Sequence, residues 1–418
     1  MLNYYVYNLP TELLQAQDEG KDITGMQALV DGILAEPDPE NRELLAYGFW
    51  KAMASRPTRP DYPYTEPSVL SEIRALRPKN RPVFAKPQSA DPDKILGAWL
   101  GRSAGCLLGK PVEGWMRKDI LQRAKDSGNY PIIRYLEDQI DCMPNDDDTN
   151  YTMIGLALLE QYGFSFTTAD VAQMWLSHLP AYATFTAEIT AYRNVLCGVS
   201  IDKTATTCNP YREWIGAQIR ADIFGYVCPG DPQEAAELAY RDAALSHVKN
   251  GIYGEMFAAA MLAAAAVTSD FDQILSAGLG EIPENCRLRK EIDRTVQLCR
   301  ENEDYTKVID EIHRSYPEER NHNRVHTIPN AMIVVMALYY GRMDYTRSVG
   351  IAVEGAMDTD CNGATVGSIV GMAIGAKNLP DAYIKPLNDT MHTQLAGFDG
   401  ASIKALAART CTVANTAR

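Results

Sequence analysis

Apolar positions along this chain recur mostly at spacings of three and four. Near the N-terminus Met26, Leu29, Val30, Ile33 and Leu34 follow that rule, which is the spacing of an amphipathic helix face. Residues 1–55 therefore read as helical. Prolines at 57, 60, 63, 67, 78, 82, 87 and 92 then fix φ and remove backbone donors. They predict an extended, irregular stretch with one short helix over 69–76. After a boundary near residue 90, helical periodicity dominates, and alternating β-branched runs are rare. The expected organisation is an N-terminal helical and Pro-rich extension, 1–90, followed by one large all-α domain, 91–418. Apolar runs at 256–267 and 364–376 are too short to span a bilayer and read as buried helices.

Two of these predicted helices carry glycine at every fourth position. One has Gly97, Gly101, Gly105 and Gly109; the other has Gly363, Gly367, Gly371 and Gly375. That spacing aligns each set along one ridge. A glycine in a helix interior costs about 1 kcal/mol against alanine, so four per helix need a compensating gain. Close approach of a neighbouring backbone supplies one, and the two ridges predict a shared helical centre. A phosphate loop is excluded at Gly105–Lys110: the glycines are one residue too close, and Pro111 stands where Ser or Thr is required.

Composition adds boundaries. Of 418 residues, 46% are hydrophobic and 22% charged, as in globular proteins. The net charge of −14 argues against nucleic acid or an anionic membrane as partner. The nine cysteines include no CxxC pair, which reads as reduced thiols in a cytoplasmic protein. Residues 1–18 contain Glu12 and Asp18 and no basic lead-in, unlike a signal peptide. The sequons at Asn150 and Asn388 are then without consequence. Oligomeric state is left open.

The candidate chemistry lies in two acidic clusters far apart in sequence: Asp146-Asp147-Asp148-Thr149 and Asp358-Thr359-Asp360. Each precedes a predicted helix, so capping by Asp148 or Thr149 accounts for part of the first. It leaves three consecutive acids largely unexplained. Crowded carboxylates resist ionising together unless a cation compensates, and all-oxygen clusters suit Mg²⁺ or Mn²⁺. Few basic residues stand nearby in sequence. Glu113 closes the first glycine helix. Ser246-His247 and Asn250 precede an alanine-rich helix, where a lone histidine is commonly structural. The Asn209-Pro210-Tyr211-Arg212-Glu213-Trp214 stretch fits either a pocket for a ring and hydroxyls or a surface loop.

Taken in order, Gly97 to Glu113, Asp147-Asp148-Thr149, Ser246-His247 and Asp358-Thr359-Asp360 with its glycine helix resemble the ADP-ribosylglycohydrolase family, in particular its dinitrogenase-reductase-activating group. The resemblance spans about residues 93 to 380. It implies a compact multi-helix fold around a binuclear metal centre, two Mg²⁺ or alternatively Mn²⁺, that hydrolyses a glycosidic bond at the anomeric carbon of an ADP-ribosyl group. The implied metal ligands are Asp146, Asp147, Asp148, Asp358, Asp360 and Cys361, with Asp360 bridging. Glu113 and Asp147 are the implied catalytic residues. Tyr211, Arg212, His247, Asn250 and Met357 are the substrate-binding candidates.

Departures from the family pattern shape the expected substrate. Asp146 replaces a threonine, Cys361 a hydroxyl ligand, Cys106 a frequent aspartate, and Met357 a frequent glycine or asparagine. They point to an altered pocket wall and a ribosyl or glycosyl conjugate smaller than ADP-ribose. Two other functions compete: a non-catalytic, metal-containing nucleotide-sugar-binding protein, and a two-metal phosphoryl hydrolase.

Overall fold

The computed structural model describes residues 5, 6, 8–137 and 139–416. Among these residues the chain forms twenty-one α-helices and one short antiparallel ribbon, Thr390–Met391 with Ala401–Ser402. The all-α expectation holds. The irregular proline stretch holds as well, interrupted by one helix at Leu70–Ala75. No helix among the described residues is long and apolar enough to cross a membrane.

The two glycine helices are the centre of the molecule. They span Pro92–Gly109 and Thr359–Ile374, and they pack antiparallel with backbone against backbone. A Cβ on Gly97 would strike the carbonyl oxygen of Gly371, one on Gly101 that of Gly367, one on Gly105 that of Gly363, and one on Gly109 that of Thr359. The small-residue ridges thus buy an approach that no side chain at these positions permits. The Tyr345 hydroxyl donates to the Gly101 carbonyl (2.8 Å) and the Thr359 hydroxyl to that of Gly109 (2.9 Å). Because the pair is antiparallel, the C-terminal end of the first helix lies beside the N-terminal end of the second. Lys110 and Glu113 are therefore delivered to Asp358 and Asp360.

A third helix, Asp147–Tyr162, is tied to this pair by a buried arginine. Arg102 donates to the Asp148 carbonyl (2.6 Å) and carboxylate (3.0 Å), and its other arm to Asp222 (2.8 Å). The apolar 256–267 run lies mostly in the buried Lys249–Ala265 helix.

The apolar core is divided. The main core includes Ile73 and Ala90 and continues to Ala414. A second, smaller core gathers Leu9, Leu13, Val30, Ile33, Phe49 and Trp50 from the first three helices. The apolar change of neighbourhood thus falls before Ile73, earlier in the chain than residue 90.

Candidate active site

The two acidic clusters meet. Ligand atoms of Cys106, Asp146, Asp148 and Asp360 lie within 4.8 Å of one another, as do those of Asp358, Asp360 and Cys361. Asp360 belongs to both groups. Asp146, Asp147, Asp358 and Asp360 open onto a cavity of about 290 Å³, lined also by Lys110, Glu113, Phe185, Glu188, Trp214 and Gly216, while Asp148 is fully buried beside them.

Each acid occupies a distinct position. Asp146, rather than Asp148 or Thr149, caps the third helix: its Oδ1 accepts from the Asp148 N–H (3.0 Å). Its other oxygen pairs with the Lys110 ammonium. Although burial opposes the charge, Asp146 holds Lys110 above its usual pKa. The expectation of few basic partners is corrected here. Lys110 and Arg102 both reach the cluster from the first glycine helix, close to Glu113 in sequence. The charge that Asp146 adds is thereby matched within the site.

Two carboxylate oxygens remain without partners. Asp148 Oδ2 and Asp358 Oδ1 are buried and accept no hydrogen bond. An orphaned, buried charged oxygen is costly, and a cation removes that cost. Asp358 stands at the N-cap of its helix with no side-chain capping bond, so capping does not explain it. The segment leading to it is strained: Ala356 (φ 56°) and Met357 (φ 63°) are both left-handed, a region uncommon for residues other than glycine. The oxygen-rich donor set and its two orphaned atoms fit divalent metal ions.

Without a metal, the acids lean toward their protonated forms. Burial, then the neighbouring charges of Asp358 and Asp146, raises Asp360 well above the usual carboxylate range. Burial and then Asp146 raise Asp147 well above it, and burial raises Asp148 despite Arg102. Asp358 moves up through burial. Glu113 is exposed at the rim, yet its carboxyl lies within hydrogen-bond reach of Asp360 and is also raised, by desolvation, Asp358 and Asp146. Burial and the Asp148 and Asp358 charges keep the Cys361 thiol protonated.

The opposite wall is built by Glu188 on the Thr186–Leu196 helix. Thr186 begins that helix at a φ of 42° and its hydroxyl reaches Glu188 Oε2 (3.4 Å). Arg220 donates to Glu188 Oε1 (2.6 Å). The carboxylate lies so close over Gly216 that a Cβ there would come within 2.6 Å of the carboxyl carbon. Glycine at 216 is what makes room for the acid.

The chain's sequence matches the ADP-ribosylglycohydrolase family model over residues 87–417. The protein belongs to the ADP-ribosylglycohydrolase family. A solved structure described as an ADP-ribosylglycohydrolase-related protein complex shares the fold at a TM-score of 0.50. It is 17% identical, and the alignment covers 78% of this chain and 99% of that one. A search of curated proteins finds no significant match. Family membership supports a glycohydrolase function in general.

The fold brings together every acid singled out in the sequence, and Cys361 with them. The five substrate-binding candidates lie elsewhere, outside the residues that line the cavity. Arg212 is buried in ion pairs with Glu12 and Glu19, both at 2.5 Å. Tyr211 donates to Asn8 (2.6 Å) and stacks edge-on against Trp214. The stretch around them is neither a surface loop nor, Trp214 apart, a pocket wall. Asn250 is buried behind the wall, donating to Glu213 (2.8 Å). His247 is also buried, bonded to Ser246 (2.8 Å) with Nε2 3.9 Å from Glu188, and burial lowers its pKa so that it stays neutral. Met357 is 1% exposed and packs in the main core, so its bulk does not narrow the cavity. Phe185 and Trp214 are the large aromatic side chains that line it.

Lys110, Phe185, Glu188 and Trp214 carry no sequence signal of comparable strength. Lys110 was visible only as part of a failed phosphate loop. Trp214 stood within the aromatic stretch. Glu188 depends on a turn and a glycine that meet only in the fold.

A third cluster, Asp18, His322 and His326, does not suit a metal. Nδ1 of His322 accepts from the Trp214 indole N–H (3.1 Å) and Nδ1 of His326 from the Ile328 N–H (3.1 Å). Each neutral ring then carries its proton on Nε2, where a metal would need a lone pair.

Crowding gives a test through pH. In the metal-free protein Asp147, Asp148, Asp358 and Asp360 bind protons more tightly when folded than when unfolded. The folded state therefore holds more protons, and stability falls as pH rises above the usual carboxylate range. His247 and His326, whose pKa values burial lowers, oppose this below about pH 6.5 but are two groups against four. Glu19, held near a pKa of about 2 by Arg212 and Lys249 against burial, acts oppositely only in stronger acid. Metal-free protein should melt higher at about pH 5.5 than at about pH 8, and saturating Mg²⁺ should reverse or flatten that slope. A metal-free melting temperature that rises across this window contradicts the account.

Proposed function

We propose that the cavity is the active site of a metal-dependent glycoside hydrolase that cleaves an N- or O-glycosidic bond. The substrate is an ADP-ribosyl or, more in keeping with the space, a smaller ribosyl or glycosyl conjugate. The convergence of Asp148, Asp358 and Asp360, with two orphaned oxygens, carries the proposal. A volume of about 290 Å³ lies at the small end of ligand pockets, roughly 300–1,000 Å³.

Asp148, Asp358 and Asp360 would hold the ions, with Asp146 and Asp147 beside them and Asp360 shared. When bound, such ions orient substrate hydroxyls and lower the pKa of a water. Asp147 faces the cavity and would stabilise the positive, oxocarbenium-like charge that develops at the anomeric carbon. Glu113, at the rim with its pKa raised, would pass a proton between water and leaving group. Glu188 is rigidly held by Arg220 and would accept hydrogen bonds from sugar hydroxyls. Phe185 and Trp214 offer faces for a ring and exclude water.

The test is turnover by the Mg²⁺-loaded protein on 4-nitrophenyl riboside and ADP-ribosyl-arginine. Release of a free reducing sugar supports the proposal, with the riboside preferred. Binding without turnover favours a nucleotide-sugar-binding protein, and phosphate release favours a phosphoryl hydrolase. Cys361 sets a second expectation. Sulfur is a poor ligand for Mg²⁺, so Cys361→Thr should raise Mg²⁺ affinity relative to Zn²⁺. An unchanged ratio in competition calorimetry would show that the thiol has no say in metal choice.

A further inference from the structure

The loop that carries the cavity wall is gripped, residue by residue, by the first helix of the chain. That helix spans Leu9–Asp18. Tyr211 donates to Asn8 (2.6 Å). Arg212 pairs with Glu12 and Glu19. Glu213 accepts from Gln15 (2.7 Å). The Trp214 indole donates to His322 Nδ1 (3.1 Å), and His322 Nε2 in turn bonds to Asp18 Oδ2 (2.8 Å). Positions 8, 12, 15 and 19 follow the three-and-four spacing of one helix face. One face of the helix thus addresses three consecutive residues, 211–213, and Asp18 reaches the fourth, Trp214, through His322. The next two, Ile215 and Gly216, line the cavity with Trp214.

We propose that this N-terminal helix is a positioning element for the substrate pocket, and that Asp18, acting through His322, fixes the Trp214 indole as a wall of the site. The proposal rests on the cavity being the substrate site. The grip is specific in its chemistry. Indole N–H only donates, so it forces His322 Nδ1 to accept and Nε2 to carry the proton. Asp18 then accepts from Nε2. Remove that acceptor and the imidazole loses what sets its orientation, and the indole loses its partner in turn. The Trp214 backbone is held separately, its N–H donating to the Tyr211 carbonyl (2.8 Å) and its carbonyl accepting from the Thr327 hydroxyl (2.9 Å), so the indole can shift without the loop unfolding. The residues that grip, Asn8 to Glu19, all lie outside the stretch that matches the family model, 87–417. The helix thus lies outside the family region and shapes a site which that region supplies.

The test compares Asp18→Ala with Asp18→Asn in the full chain, labelled with 5-fluorotryptophan. Asparagine keeps an oxygen acceptor for His322; alanine does not. The Trp214 resonance is assigned with Trp214→Phe. In Asp18→Ala it should move and broaden, and in Asp18→Asn it should stay in place. With 4-nitrophenyl riboside as probe, KM should rise about fivefold in Asp18→Ala, the scale of one lost hydrogen bond, with kcat nearly unchanged. Asp18→Asn should restore KM. A wild-type Trp214 resonance in Asp18→Ala overturns the proposal, and so does a moved resonance with an unmoved KM. If Asp18→Ala fails to fold, Asn8→Ala tests the same grip through Tyr211, whose ring centroid is 4.5 Å from that of Trp214, with the same two readouts. The fluorine signal needs no substrate. Absence of any turnover by the wild type would count against the hydrolase and leave the Trp214 measurement to decide the positioning role.

Discussion

Asp360→Asn should abolish turnover while leaving the fold intact. Asp360 is the one acid common to both groups of candidate ligand atoms, so its loss weakens both at once. Residues that only orient metal ligands typically cost 10–100-fold when changed, and the loss here should exceed about 100-fold. Stability should move the other way. Asp360 is pushed up by burial and by Asp358 and Asp146, so a neutral amide relieves repulsion in the metal-free protein. Metal-free Asp360→Asn should melt no lower than metal-free wild type, while the Mg²⁺-induced rise in melting temperature should shrink or vanish. Wild-type turnover together with a wild-type metal shift would show that the centre has been placed on the wrong residues.

Gly367→Ala should be the most destabilising conservative change in the chain, with Gly101→Ala close to it. Each Cβ would meet a backbone carbonyl oxygen of the facing helix, and backbone cannot rotate aside as a side chain can. Overpacking costs about 1–3 kcal/mol where side chains can adjust. With backbone on both sides we expect a loss of about 3 kcal/mol or more, read by urea denaturation. Gly32→Ala is the control: it also lies in a helix, Met26–Ala35, and nothing stands within 4 Å of the added Cβ. It should stabilise by up to about 1 kcal/mol through helix propensity. The damage should also reach the site, because the same pair sets Glu113 against Asp360. A Gly367→Ala variant as stable as wild type would mean that the two helices do not meet backbone to backbone.

The parts of this architecture that were legible in the sequence are those where local chemistry leaves little choice. Four glycines at a spacing of four have few uses except close helix packing, and Gly97 to Gly109 do face Gly371 to Thr359. Three acids in a row exceed what a helix cap needs. The cap falls on Asp146, and an oxygen of Asp148 is left over. What was not legible depends on partners distant in sequence. Arg212 and Tyr211 looked like pocket residues because they are polar and aromatic, yet their partners are Glu12, Glu19 and Asn8, some 200 positions away. Met357 precedes the acidic motif but turns into the core through a left-handed backbone that no periodicity announces. Glu188 becomes a wall of the cavity only because Arg220 holds it and Gly216 yields space.

The most direct test is crystallographic. Crystals grown with Mn²⁺ and measured for anomalous scattering should show two peaks in the cavity, within ligand distance of Asp148, Asp358 and Asp360, and both should weaken in Asp360→Asn. Data from wild-type crystals saturated with Mn²⁺ that show no peak among these carboxylates would contradict the account at its centre.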